Sequence, residues 1–235
     1  MSREKILRNY ERKILYSSEQ WNLLEKKRTQ ARDLLELFKR EALHPYVYGS
    51  IARGNVHELS DVDIVFLDTI SPFQIEIILK KHNITRYHRE IIMATPADSI
   101  KLYIYLSELE SITIPLTKLS PTEREFYDFG GKVALEQLLT EKRVPGIDKR
   151  LVLIQPATYG HFEQSILNRK SVAAKEVGVS TKIVKERISV LLRREKHGRT
   201  GVFLKEEIPP QLSTEQAIKN LKNSNSIIRK KLSSY

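Results

Sequence analysis

Cysteine is missing from all 235 residues. That excludes disulfides and thiolate metal sites, and it suits an intracellular, cytoplasmic protein. No apolar run is long enough to span a bilayer as a helix, and the first residues carry no apolar signal core, so no membrane partner is expected. Internal repeats and low-complexity tracts are absent. Acids are in short supply: 40 Lys and Arg face 29 Asp and Glu, for a net charge of +11. Such an excess favours a polyanionic partner. With 40% apolar and 29% charged residues, the remaining composition is that of an ordinary globule with room for two small domains.

The most informative stretch is Val47 to Leu67, VYGSIARGNVHELSDVDIVFL. An extended segment ends at Gly49-Ser50, a polar turn or short helix follows, and Asp61-Val62-Asp63 opens a second apolar run. Residues i and i+2 of a strand share a face, so the two aspartates sit side by side while Val62 turns into an apolar layer. Two like charges on a half-buried strand repel each other and lose hydration. A divalent cation between them removes the conflict, and hard oxygen ligands suit Mg²⁺ or Mn²⁺. Gly49 permits close backbone approach. A helix opening at Ser50 or Ile51 offers amides to phosphate oxygens, and Arg53 offers a fixed cation beside them.

Gly49-Ser50, Ala52-Arg53-Gly54 and Ser60-Asp61-Val62-Asp63-Ile64 together resemble the signature of the DNA polymerase beta-like nucleotidyltransferase superfamily, close to its minimal members. The resemblance implies transfer of a nucleoside monophosphate from a nucleoside triphosphate to a hydroxyl acceptor by a two-metal mechanism. Asp61 and Asp63 would be the catalytic metal ligands, and Gly49, Ser50 and Arg53 would hold the triphosphate. Two-metal transfer wants a third acid on a neighbouring strand. Glu90, entering an apolar strand, is the candidate, with Asp98 as runner-up; the bland alternative for Glu90 is an edge-strand charge.

Helical spacing of Leu7, Tyr10, Ile14, Leu24, Ala31, Leu34, Leu35 and Phe38 predicts helix over residues 3–42, broken near Ser17-Ser18 with Ser18 as a cap. This segment packs on the next domain or forms a dimerising hairpin. Tyr46–Tyr48 reads as a strand, Pro72 opens a helix capped by Ser71, and strands are expected at 84–94 and 100–106. Ser120-Pro121 starts another helix, and residues 150–154 read as a strand.

Val172 to Thr181 reads as the centre of a helix-turn-helix, with Gly178 at the turn and Ser180 or Thr181 capping the second helix. Val184, Ile188 and Leu191 face inward; Lys182, Lys185, Ser189 and Arg193 share the opposite face. Gly198 to Leu204 resembles a wing that includes Arg199. From Arg169 to Lys205 there are eleven Lys and Arg against three Asp and Glu, most of the chain's excess. Phosphate contact is the simplest use of that concentration, with protein contact as the alternative. His161 reads as a packing residue more readily than as a nucleic-acid contact.

The expected architecture is α/β (α+β): a small mixed sheet with flanking helices, plus a winged helix-turn-helix. The expected division is a helical segment at 1–42, a nucleotidyltransferase core at 43–115, a bridge at 116–155, the winged domain at 156–209 and a helix at 210–235. RNA, tRNA, DNA or protein remain open as acceptor or partner. A second reading is a winged-helix DNA-binding regulator whose nucleotidyltransferase fold is inactive or senses nucleotide. A third is one half of a toxin–antitoxin-like module.

Overall fold

In the computed structural model, residues 5–85 and 88–233 are described. Apolar residues on alternate positions build a seven-stranded sheet that carries the signature. In chain order its strands are β2 (Tyr46–Tyr48), β3 (Val62–Val65), β4 (His88–Met93), β5 (Lys101–Ser107), β6 (Glu110–Pro115), β7 (Lys132–Val133) and β11 (Leu204–Glu207). Across the sheet they run β11-β4-β5-β6-β3-β2-β7. Only β3 and β6 are parallel; every other pair is antiparallel.

Val47, Ile64, Ile91, Leu102, Ile104 and Ile112 cover one face of this sheet and are fully buried. Against them pack α1 (Ser18–Arg40), α3 (Pro72–Lys81), α8 (Thr214–Ser224) and α9 (Ser226–Leu232). The mixed sheet with flanking helices matches the expected fold class. The other face is largely polar and aromatic, and α4 (Pro121–Gly130) lies over part of it through Tyr127 and Phe126. A Ser120–Glu123 capping box starts α4.

Four further strands make a second sheet in the order β1 (Glu11–Leu15), β10 (Gly160–Ser165), β9 (Val152–Ala157), β8 (Gly146–Ile147). Its core continues into α6 (Lys170–Val177) and α7 (Thr181–His197). Two short helices complete the chain, α2 (Ser50–Arg53) and α5 (Leu135–Leu139).

Several expectations are corrected. Residues 11–15 are strand, not helix. They pair with β10, and the four-residue spacing from Tyr10 to Ile14 fits a two-residue repeat as well as a helical one. The cap of α1 is Ser17, whose side chain accepts from the Gln20 amide, rather than Ser18. The strand expected at 150–154 runs from Val152 to Ala157, after a left-handed residue at Leu151 (φ 60°). The last helix is two, divided at Asn225, whose side chain caps α9. Part of the strand expected at 84–94 lies outside the described residues, as does the start of the first helix.

In the segment read as a helix-turn-helix, two helices, α6 and α7, flank the turn at Gly178. Gly178 takes the left-handed conformation, Ser180 caps α7, and Val184, Ile188 and Leu191 are buried. The wing does not form as a separate hairpin. Its return strand is β11, which pairs with β4 at the edge of the seven-stranded sheet. A free edge on β4 offers a full row of backbone partners, which a two-strand wing cannot match.

Candidate active site

The signature loop is held from behind by α1. Lys27 donates to the Ser60 carbonyl (2.7 Å), and Arg28 donates to the carbonyls of Ile51 (3.0 Å) and Lys142 (2.8 Å). Both cations are buried. Gly49 sits at φ +84°, which an L side chain rarely adopts, and its amide donates to the Gly131 carbonyl (2.8 Å). Arg53 is buried too. It donates to the Gly130 carbonyl (2.5 Å) and to Asn55 (3.0 Å), and burial lowers its pKa to about 10. Its guanidinium ties the turn to the Gly130 carbonyl and Asn55.

Asp61 lies just before β3 and is exposed; Val62 is buried; Asp63 points to the aromatic face. The register across that face reads Tyr48, Asp63, Ser111, Tyr105, His88 on five adjacent strands. Ser111 donates to Asp63 Oδ1 at 2.6 Å. Burial pushes the Asp63 carboxyl above its ordinary value and the nearby Asp61 charge adds to the rise, while Ser111 and Lys149 pull the other way. Burial also drives the Tyr48 hydroxyl well above its usual range, with Asp63 next in importance. Negative charge in this corner therefore exceeds what the chain neutralises.

Glu90 is not brought to the aspartates. It pairs with Tyr103 on β5, so β5 and β6 separate its strand from Asp63's. Three strand spacings are about 14 Å, too far to share an ion. Glu90 instead binds Lys205 (2.9 Å) and accepts from Tyr105 Oη (3.4 Å). Asp98 lies in the β4–β5 turn, bonded to Thr95. On β6, next to β3, the residue opposite Asp63 is the neutral Ser111; Glu110 stands opposite Val62 and belongs to the other face. Among the described residues, no group of three or more His, Asp or Glu side chains is placed to hold a metal ion. Two carboxylates and a hydroxyl fit one Mg²⁺ or Mn²⁺ completed by water and phosphate oxygens.

Lys182, Lys185, Ser189, Arg193 and Arg199 are all exposed, the first four along α7. The helix is clipped to α4. Glu125 accepts from the Ser180 hydroxyl (2.6 Å) and amide (3.2 Å), and Arg187 lies over the Phe126 ring at 4.9 Å. His161 is buried, with Nδ1 2.8 Å from Tyr16 Oη, in keeping with a packing role. Ser111, Lys149, Tyr105 and Arg187 escaped the sequence reading. Alternation along ESITIP could have placed Ser111 outward; nothing local marks Lys149 or Arg187.

Residues 27–112 match the family model of the nucleotidyltransferase domain. Over that span, less than half of the chain, the sequence is similar to a nucleotidyltransferase domain of the DNA polymerase beta-like type. No curated protein and no solved structure matches the chain. No helix among the described residues is long and apolar enough to cross a membrane.

Proposed function

We propose that this protein transfers a nucleoside monophosphate from a nucleoside triphosphate to a hydroxyl at the end of a nucleic-acid strand. The observation that carries this reading is the Asp61–Asp63 pair beside the Gly49-Ser50 turn, negative and partly buried, with Ser111 and Lys149 as its modest compensation. Asp61 and Asp63 would hold a divalent cation, Mg²⁺ or Mn²⁺. When bound, that ion offsets the charge of the triphosphate and polarises the α-phosphorus. Gly49 and Ser50 shape the phosphate end of the site, and Arg53 and Arg28 keep that turn in place. The acceptor hydroxyl oxygen bonds to the α-phosphorus and loses its proton to water, while the bond to pyrophosphate breaks and pyrophosphate leaves. The exposed basic face of α7 (Lys182, Lys185, Ser189, Arg193) and Arg199 supports a nucleic-acid acceptor, because phosphate contacts position a strand without reading its sequence.

The test is transfer of label from each α-labelled triphosphate, with Mg²⁺ or Mn²⁺, to RNA and DNA oligonucleotides. Labelled product that disappears in Asp63→Asn, with folding intact, supports the reading.

One observation favours a second reading. Ser111 occupies the place where a third carboxylate would hold the acceptor-side ion, so the domain would bind nucleotide without turning it over and serve a DNA-binding regulator. Wild-type protein that binds triphosphate and shifts duplex DNA but labels no acceptor would decide for this alternative.

A further inference from the structure

Beyond Asp63, the same face of the sheet carries a second cluster. His88 and Tyr105 stack with centroids 4.1 Å apart and planes 9° from parallel. Tyr103 stands beside Tyr105 at 6.4 Å and 21°. Glu90, buried, is bonded to Tyr105 Oη and to Lys205, which steadies the tyrosine from its far end. Tyr105 and His88 are only partly buried.

The order of side chains across the strands gives this cluster a direction. One face of the Tyr105 ring is covered by His88. On its other side the next strand presents Ser111, which fills little space, and the strand after that presents Asp63. Asp63 and Tyr105 are two strand spacings apart, about 10 Å, with only a hydroxymethyl group between them. The short side chain of Ser111, itself buried, marks a narrow slot with an aromatic wall on one side and the aspartates on the other. The Gly49-Ser50 turn follows β2, on the opposite flank of β3. A triphosphate seated at that turn leaves the slot to the acceptor.

We infer that Tyr105, backed by His88, is the stacking platform for the terminal base of a single-stranded nucleic-acid acceptor. The inference rests on the transfer reading above and names where the acceptor end lies. Stacking on an aromatic ring suits any base, because each has a π-face. The platform also joins the basic region through the chain. From α7, residues 198–203 lead directly into β11, and β11 brings Lys205 to Glu90 at the rim of the cluster. Arg199 and Lys205 are the two cations along that connection between α7 and the slot.

The test uses the full chain and 12-nucleotide RNA and DNA oligonucleotides. Each carries 2-aminopurine at the terminal position, an internal 2-aminopurine, or an abasic terminal sugar. Wild type and Tyr105→Phe should quench the terminal fluorophore and leave the internal one bright. Tyr105→Ala should lose the quench and bind the intact-ended oligonucleotide about 5- to 100-fold more weakly. Its affinity for the abasic-ended oligonucleotide should equal that of wild type. Either sugar chemistry giving this pattern supports the platform. Equal loss on intact and abasic ends would mean that Tyr105 only holds the fold, and would overturn it. Calorimetry with a non-hydrolysable triphosphate and Mn²⁺ runs in parallel. Weaker triphosphate binding in Tyr105→Ala, with oligonucleotide binding unchanged, would assign the platform to the incoming base and reject the inference. Wild type that takes up no triphosphate removes the transfer reading, while the oligonucleotide arms still judge the platform.

Discussion

The two sheets treat a buried carboxylate in opposite ways. In the four-stranded sheet, Glu163 is surrounded by partners. Tyr10 donates to it at 2.7 Å, Arg150 at 2.6 Å, and His161 Nε2 lies 3.3 Å away. Burial alone would raise its pKa, but these hydrogen bonds outweigh burial and hold it at about 2. In the seven-stranded sheet, Asp63 has Ser111 as its hydrogen-bond donor and Asp61 as a repelling neighbour, and its pKa rises. The first carboxylate is closed off by its own chain; the second is left short of positive charge. That difference in partners separates the two carboxylates, Glu163 buried and Asp63 partly so.

Exchanging charge for amide in each sheet should split the two most widely. Asp63→Asn should cut transfer about a thousandfold or more, measured as labelled product, because the cation loses a ligand. The same change should raise the melting temperature at pH 7 in the absence of divalent ions. Folded Asp63 binds its proton more tightly than the unfolded chain does. Wild type therefore loses stability as pH rises from about 4 through the raised value, and the variant does not. Glu163→Gln should do the reverse. Its sign is opposite because folded Glu163 titrates at about 2. Its stabilisation is present above the ordinary carboxylate range near 4 and fades as pH falls toward 2. Urea melts at pH 7 should show a loss of about 3 kcal/mol, with transfer by the folded enzyme retained. If both variants destabilise alike, the contrast between the sheets is wrong.

Ser111→Asp sharpens the comparison from the other side. An acid opposite Asp63 should raise Mn²⁺ uptake from about one to about two ions per chain by calorimetry, and lower stability when no ion is present. Lys182→Ala with Lys185→Ala tests the basic helix. The slope of log affinity against log salt should flatten by about 2, with transfer to a small hydroxyl acceptor unaffected. The smallest effect belongs to the clip between the two regions. Glu125→Gln weakens the Ser180 bonds and should cost about 1 kcal/mol in a urea melt.

Much of this was legible from local pattern. The Gly49-Ser50 turn, the Asp61–Asp63 spacing, the Ser120 cap and the Gly178 turn each depend on residues within a few positions of one another. Local sequence states such constraints directly. The β1 segment was not legible: five residues with one half-buried position fit a strand or a helix, and only β10, some 150 residues away, decides. Glu90 misled for a related reason. An acid at the start of an apolar strand looks like a ligand until strand order is known, and strand order is set by long-range pairing. Arg89, beside it, carries no local mark, yet it is fully buried and joins α8 to the sheet through Thr214 (2.8 Å) and the Leu212 carbonyl (2.7 Å).

By itself, the sequence determined that two aspartates flank Val62 beside a glycine-serine bend, that a basic helix follows a glycine turn, and that no thiol takes part. Chain neighbours and the alternation of a strand suffice for that. Only the tertiary structure decided which residue stands opposite Asp63, which cations remain near it, and that the last strand closes the first sheet. Those outcomes depend on pairing between segments far apart in the chain, where no residue type announces its partner.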